Sequence, residues 1–373
     1  FAIKGRRIGA GNPSYLRHAR PEATTAPAVD DLLFGGASLR GIARTDEFAY
    51  SIAGDNPHYG TPPNGAVPGA LPGGSSNGPA SAVATGQAEI GLATDTAGSI
   101  RVPASYQGLW GLRTTHGLVP RQGMLPLAQS FDTVGWLTRD SHTLQLVADW
   151  CLGYEGSEST ESVYGPSGDD LPWRFLVVAE ALESAEPDTH AAFEALLARL
   201  ASSADAPLIG AVSIGDLDAY YEPFRTVQGA EAWRNNGEWL RDHPGATGPA
   251  VADRFRDAAA VTPPQEAAAR AELARLRERL HAQVSDAVLI MPTVPGPAPM
   301  RTRTGSHVTA VRGATLRMTT PAAIGGLPSL SAPLLTVGSL LGPAPVGVSL
   351  VSAEGTDIAL VRAARRLERA LAL

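Results

Sequence analysis

The stretch LPGGSSNGPASAVATGQAEIGLATDTAGSIRVPAS, residues 71–105, decides how this chain is read. A serine flanked by glycine stands at each end of it, in Gly73-Gly74-Ser75-Ser76-Asn77-Gly78 and in Asp95-Thr96-Ala97-Gly98-Ser99-Ile100-Arg101. Between them, SSNGPASAVATG is a run of small residues with helical character, suited to close packing against a sheet. AEIGLAT reads as a buried strand around Ile90–Thr94, and DTAGS as a tight turn after it. A short helix out and a strand back would bring Ser75 and Ser99 together. A Gly-Gly-Ser-Ser loop alone says little, since tight turns favour these residues. The stretch is not a phosphate-binding loop, because GK[ST] is missing, and no GxGxxG follows a strand there.

Outward from this stretch, strands and helices interleave. The chain before it reads as short elements, with a helix through Val29–Phe34, a Gly-Gly stop and then a strand. Residues 61–75 are a Pro- and Gly-rich loop, and 152 to about 170 is polar and loop-like. WRFLVVAE is a strand, followed by helical stretches at Asp188–Ala201, Glu222–Arg241 and Pro264–Val284. VLIMPTVPGPAP, SLSAPLLTVG and APVGVSLVS supply further strands. TDIALVRAARRLERALAL closes the chain as an amphipathic helix, with Leu360, Val361, Ala364, Leu367 and Leu371 on one stripe. The pattern predicts an α/β fold, one large domain over 1–373 whose central mixed sheet is covered by helices on both faces. Within it, 1–150 holds the serine region, 151–285 is mostly helical and 286–373 supplies the last strands and helix.

The 373 residues are 44% hydrophobic, enough for a large core. The net charge of −7 and the absence of basic blocks argue against nucleic acid as a partner. No apolar run approaches the roughly 18 residues that would span a bilayer. The single cysteine, Cys151, favours a reducing compartment and a cytoplasmic location. Phe1 falls inside a strand-like apolar run, so the natural chain is expected to start upstream. Eight histidines raise a Ser-His-Asp reading based on His58 or His116, but neither has a G-x-S-x-G partner. No spacing of His, Cys, Asp or Glu suggests a metal site, and no cofactor is expected.

Lys4, in FAIKG, is the only lysine; the other twenty-nine of the thirty basic residues are arginine. A proteome-wide codon bias explains the arginines. Two readings of the one surviving lysine stay open on this observation: chance, or a position that needs an amine able to lose its proton, which arginine does not do in proteins. A serine hydroxyl is a poor nucleophile until a base takes its proton, and lysine can be that base.

Five pieces carry a resemblance: FAIK at 1–4, PGGSSNG at 72–78, DTAGSIRVPAS at 95–105, GLWGLRTTHG at 108–117 and QSFDTVGWLTRD at 129–140. MPTVPGPAP (291–299) and GLPSLSAP (326–333) extend it. In this order they resemble the amidase signature family. The resemblance implies an amidase signature fold and a Ser–cis-Ser–Lys triad that cleaves carboxylic amides to acid plus ammonia or amine. Position by position it makes Ser99 the nucleophile, Ser75 the cis-serine and Lys4 the base. It makes Thr96, Ala97 and Gly98, with Ser99, the oxyanion hole. With Lys4 as base, kcat/KM should rise with pH as the amine loses its proton. Asp95 and Arg101 read as structural braces. Three departures stand out: Ala97 where the family has Gly, strained if φ is positive there; Asn77 for Ser or Gly; and fewer residues between Gly5 and Arg6.

DEFAYSIAGDNPHYGTP (46–62) and PLAQSFDTVGW (126–136) most resemble indole-3-acetamide hydrolases and their relatives. This implies an acyl pocket lined by Tyr50, Ser51 and Ile52, with Gln129 nearby, and a small apolar or arylalkyl amide as the partner molecule. Cys151 and the Tyr220-Tyr221 and Trp233/Trp239 groups are expected to pack, with a pocket role for the aromatic groups left open. A homodimer stays open, as do two alternatives: the amidase subunit of a glutamine-dependent transamidase, and a catalytically silent binding module.

Overall fold

The computed structural model describes residues 1–153, 171–302 and 306–371; beyond Gly153, the stretch read as loop up to 170 lies outside them. The described strands are β1 (Ile90–Asp95), β2 (Trp110–Arg113), β3 (Thr133–Thr138), β4 (Arg174–Val178), β5 (Leu208–Val212), β6 (Val288–Pro292), β7 (Ser329–Ser339) and β8 (Gly342–Val351). They form one sheet in the order β1-β3-β2-β7-β8-β6-β4-β5. β4 runs parallel to β5 and β6, and the remaining pairs are antiparallel, so the sheet is mixed.

The apolar runs of β4 and β6 explain why both sheet faces are covered. Successive side chains of a strand point to opposite faces. Phe175, Val177, Val288 and Ile290 enter one core with Phe193, Leu196, Leu360 and Leu367. Leu176, Val178, Leu289 and Met291 enter a second with Phe224, Val227, Leu273, Leu276 and Leu280. A continuous Val/Ile/Leu run is what a strand buried on both faces requires. Each such side chain contributes about 1.5–3 kcal/mol through its burial. The helices Pro187–Ala201 and Asp357–Ala370 therefore cover one face, and Leu217–Asp242 and Pro263–Gln283 the other. All five residues of the closing stripe are buried. Thr262 starts its helix with a capping box, its N–H donating to Gln265 Oε1 at 2.9 Å.

Three expectations fail at the edges. The helix expected from Glu222 begins at Leu217, because the Asp216 side chain accepts from Asp218 N–H at 2.9 Å and Pro223 is carried inside the helix. The strand expected after Gly35-Gly36 does not form: residues 37–45 have no sheet partner, and Leu39 and Ile42 are exposed. Their odd spacing would place them on opposite faces of a strand, so neither face acquires an apolar stripe. The FAIK segment is likewise not a strand. It is tied by a single bridge between Lys4 and Glu22, and by Ala2 N–H donating to the Gly123 carbonyl at 2.6 Å.

Candidate active site

Strand β1 ends at Asp95, and the chain then turns sharply through Thr96, Ala97, Gly98 and Ser99 into the Arg101–Gln107 helix. The fully buried Asp95 carboxylate organises this turn. Its Oδ1 accepts from Gly98 N–H at 2.7 Å, and its Oδ2 from Ile100 N–H at 3.1 Å. Arg101 Nε and Nη2 donate to the two oxygens at 3.0 Å each. Arg113 Nη1 donates to the Asp95 carbonyl at 2.6 Å. Burial by itself would raise the Asp95 carboxyl; the Arg101 and Arg113 guanidiniums outweigh it and hold the group well below the usual carboxylate range. Asp95 and Arg101 are thus braces of the turn.

Gly98 has φ 121°, and a Cβ there would lie 3.0 Å from both Thr319 Oγ1 and Val102 Cγ2. Ala97 has no positive φ, so alanine at that position carries none of the strain anticipated for it. Thr319, from the Ser306–Gly325 helix, presses on the same turn, its hydroxyl donating to the Ala97 carbonyl at 2.5 Å. A Gly98→Ala variant should therefore lose about 1–3 kcal/mol of stability and at least ~10-fold in activity, measured by urea unfolding and amide turnover. Wild-type values for both would show that the turn tolerates a side chain.

The second serine sits beside the first. The Gly74–Ser75 peptide is cis, and Ser76 N–H donates to the Ser99 carbonyl at 3.2 Å. Asp46 N–H donates to the Ser75 carbonyl at 3.0 Å. A Cβ at Gly74 would fall 2.2 Å from Asp46 Oδ2, so only glycine fits there. Asn77, the departure from Ser or Gly, donates to Asp46 Oδ1 at 3.0 Å and to the Gly54 carbonyl at 3.1 Å. Burial pushes the Asp46 carboxyl up to about 7, against the opposing pull of Gly54 N–H. The Ser75 hydroxyl is buried and has no hydrogen-bond partner among the described residues.

Lys4 makes no hydrogen bond to Ser75 or Ser99. It is exposed, and its ammonium makes no hydrogen bond or ion pair among the described residues. The chain thus ties the Ser75 loop to the Ser99 turn through Ser76 N–H and leaves Lys4 exposed. Gly98 also departs from its anticipated role, since its N–H is committed to Asp95. No turn or loop hydrogen bond uses the N–H of Thr96, Ala97 or Ser99.

A narrow cleft opens at Ser99, lined by Tyr50, Ser51, Ile52, Thr96, Ala97, Leu127, Gln228, Arg312 and Leu316. Its free space, about 20 Å³, holds one water molecule. Tyr50, Ser51 and Ile52 are where the sequence placed them. Gln129 is not: it is exposed, and its side-chain amide pairs with Asn235 at 2.7 Å. Leu127, Gln228, Arg312 and Leu316 were missed, because three of them come from helices far along the chain. Arg312, Leu316 and Thr319 follow i, i+4, i+7 spacing, the one sequence signal that they share a helix face. Ala49, which also lines the cleft, and Phe48 before it adopt φ 54° and 51°, a region that side chains avoid. Phe48 is held there by edge-on stacking with Tyr15 and Phe255.

The histidines are engaged elsewhere. His58 Nε2 lies 2.6 Å from Glu47 Oε1, and His116 Nε2 lies 2.8 Å from the Gln129 carbonyl; neither is paired with Ser75 or Ser99. Tyr220 is buried and donates to the Ile214 carbonyl, Trp239 packs on Tyr15 and His243, and burial pushes the Cys151 thiol up to about 12. Among the described residues no cluster of three His, Cys, Asp or Glu could hold a metal ion, and no helix is long and apolar enough to cross a membrane.

This two-serine turn on a mixed sheet can be set beside known proteins. The Amidase family model matches residues 2–361. The chain belongs to the amidase family. An amidase is a hydrolase acting on amide C–N bonds, and the relatives agree. Amidase 1 of Arabidopsis thaliana is 34% identical over 377 aligned positions, covering 96% of this chain and 88% of that protein. Amidase 1 of Oryza sativa subsp. japonica is 32% identical, covering 100% of this chain and 88% of its own length. A crystal structure of an amidase superimposes with TM-score 0.83 at 31% identity, over 97% of this amidase and 80% of that chain.

Proposed function

We propose that this amidase hydrolyses a small alkyl or arylalkyl amide through an acyl-enzyme on Ser99. The carrying observation is the buried, unpartnered Ser75 hydroxyl on the loop that hydrogen-bonds the Ser99 turn. Ser99 Oγ attacks the amide carbon. Its proton passes to Ser75 Oγ, whose own proton passes to the base, Lys4 Nζ. The oxyanion lies against the N–H groups of Thr96, Ala97 and Ser99, each such donor contributing about 3 kcal/mol of transition-state stabilisation. When the tetrahedral intermediate collapses, the relay returns the proton to the departing amine. Water then attacks the ester, activated by the same relay, and releases the acid. Tyr50, Ile52, Leu127 and Leu316 give the cleft the apolar walls that an alkyl or aryl acyl chain needs. The single cysteine supports a cytoplasmic site of action.

For Lys4 to act as base, its side chain must swing from solvent to Ser75. This makes Lys4 the most exposed part of the reading to experiment. Purified protein should release ammonia from indole-3-acetamide or from arylalkyl and aliphatic amides. A Lys4→Arg variant should lose at least ~10²-fold in kcat, the usual worth of a general base, and the rise of rate with pH should go with it. A Lys4→Arg variant with wild-type rate and pH profile would remove Lys4 from the mechanism while leaving the serine pair in place.

A further inference from the structure

Arg312 is the one formally charged side chain lining the Ser99 cleft. It makes no hydrogen bond or ion pair among the described residues, and its Nε is buried without a partner. Leu316 and Thr319, one and two turns further along the same helix, touch the cleft and the catalytic turn, so the Arg312 side chain issues from the face that meets Ser99. A second guanidinium lies behind it. Arg254 Nη1 donates to the Tyr50 carbonyl at 2.8 Å, and no carboxylate among the described residues is within ion-pair distance of it. Arg254 is held low, at about 10, by its burial and by the neighbouring Arg312 charge; Tyr50, pushed up to about 12 by burial, feels both cations. Elsewhere on this amidase, buried guanidiniums such as Arg101 and Arg113 face a carboxylate. Arg254 also feels the Asp46 carboxyl, so of the two cations it is Arg312, in the cleft lining and without an ion pair among the described residues, that is built to take an anion.

We propose that Arg312 binds a carboxylate on the acyl portion of the substrate, so that the substrate is the monoamide of a dicarboxylic acid. This rests on the amide-hydrolase reading above and narrows its substrate class. Entry of the acyl chain displaces the guanidinium from the narrow cleft toward the far carboxylate, with the alkyl or aryl spacer against Ile52, Leu127 and Leu316. Hydrolysis consumes water and yields ammonia plus a dicarboxylate. Arg312 touches the remote end of the substrate and takes no part in proton transfer.

The test compares glutaramate and succinamate with their neutral counterparts valeramide and butyramide. For the wild type, kcat/KM should favour the charged amide roughly 10- to 100-fold, the range of a charge-assisted hydrogen bond. In Arg312→Met that ratio should fall to near one, chiefly through KM, and Arg312→Lys should keep part of it. A wild-type ratio near one, or an unchanged ratio in Arg312→Met, overturns the proposal. Calorimetric titration of glutarate into Ser99→Ala, which needs no turnover, separates this failure from failure of the hydrolase reading. Binding there that is lost in Ser99→Ala/Arg312→Met supports the anion site even if no amide is cleaved. Absence of glutarate binding to folded Ser99→Ala counts against it even if neutral amides are.

Discussion

Replacing Ser99 with alanine should abolish amide hydrolysis, lowering kcat by about 10⁴-fold or more, and leave the fold as it is. On the proposed mechanism, the size of the loss follows from removing the nucleophile while keeping the oxyanion donors and the cleft, which alone give a small residual acceleration over water. The fold should survive because the Ser99 hydroxyl makes no hydrogen bond among the described residues. The turn is held instead by Gly98, Ile100 and Arg101 on the Asp95 carboxylate and by Thr319 on the Ala97 carbonyl. Denaturant midpoints of wild type and Ser99→Ala should therefore agree to within about 0.5 kcal/mol. Ammonia release on a cleaved amide and urea unfolding, run on the same preparations, check both halves. Substantial residual turnover would move the nucleophile away from this turn. Ser75→Ala should show a smaller but still large loss, since the proposed relay would be broken while the Ser99 hydroxyl remains.

Removing the Asp95 carboxylate should have the largest effect on stability. Asp95→Ala leaves the Arg101 and Arg113 guanidiniums buried, close together and without their counter-charge. Breaking a buried pair by deleting one partner costs about 3–5 kcal/mol, a large part of the ~5–15 kcal/mol that holds an ordinary domain folded. It also frees Gly98 and Ile100 N–H, so the catalytic turn should loosen and activity fall with it. The pH dependence has a definite sign. The folded-state pKa of Asp95 lies below its unfolded value of about 3.9, so its contribution is present at neutral pH. It is lost as the pH falls below about 4, where the unfolded carboxylate takes up a proton that the folded one still refuses. Wild type should thus show a steep acid limb in its stability curve, and Asp95→Ala a shallower one. Equal slopes below pH 4 would mean that Asp95 does not carry the acid sensitivity.

Much of this was legible along the chain because the deciding interactions are local. The small-residue helix Asn77–Ala84, strand β1 and the Gly98 turn are neighbours in sequence, and glycine, serine and alanine there leave few other conformations. The continuous apolar runs of β4 and β6 and the stripe of the last helix state directly which sides must be buried. Those features pointed to the mixed sheet, its helical layers and the approach of the Ser75 loop to the Ser99 turn. Gln129 was misplaced because a short-range motif cannot say which way a side chain leaves a loop; its amide met Asn235, more than a hundred residues away. The strand expected around Leu39 was lost for want of a partner, which propensity alone does not supply.

What only the tertiary structure decided concerns charge and access at the serine pair. Lys4 was recognisable as the one amine in a chain of arginines, but its solvent position depends on how residues 1–9 lie against Glu22 and Gly123. Arg312 looked like any other arginine until the Ser306–Gly325 helix folded over the Ser99 turn. Apolar periodicity is written into neighbouring residues, because burial acts on every side chain of a face at once. The pairing of a charge is not, since it depends on which distant group meets it across the core.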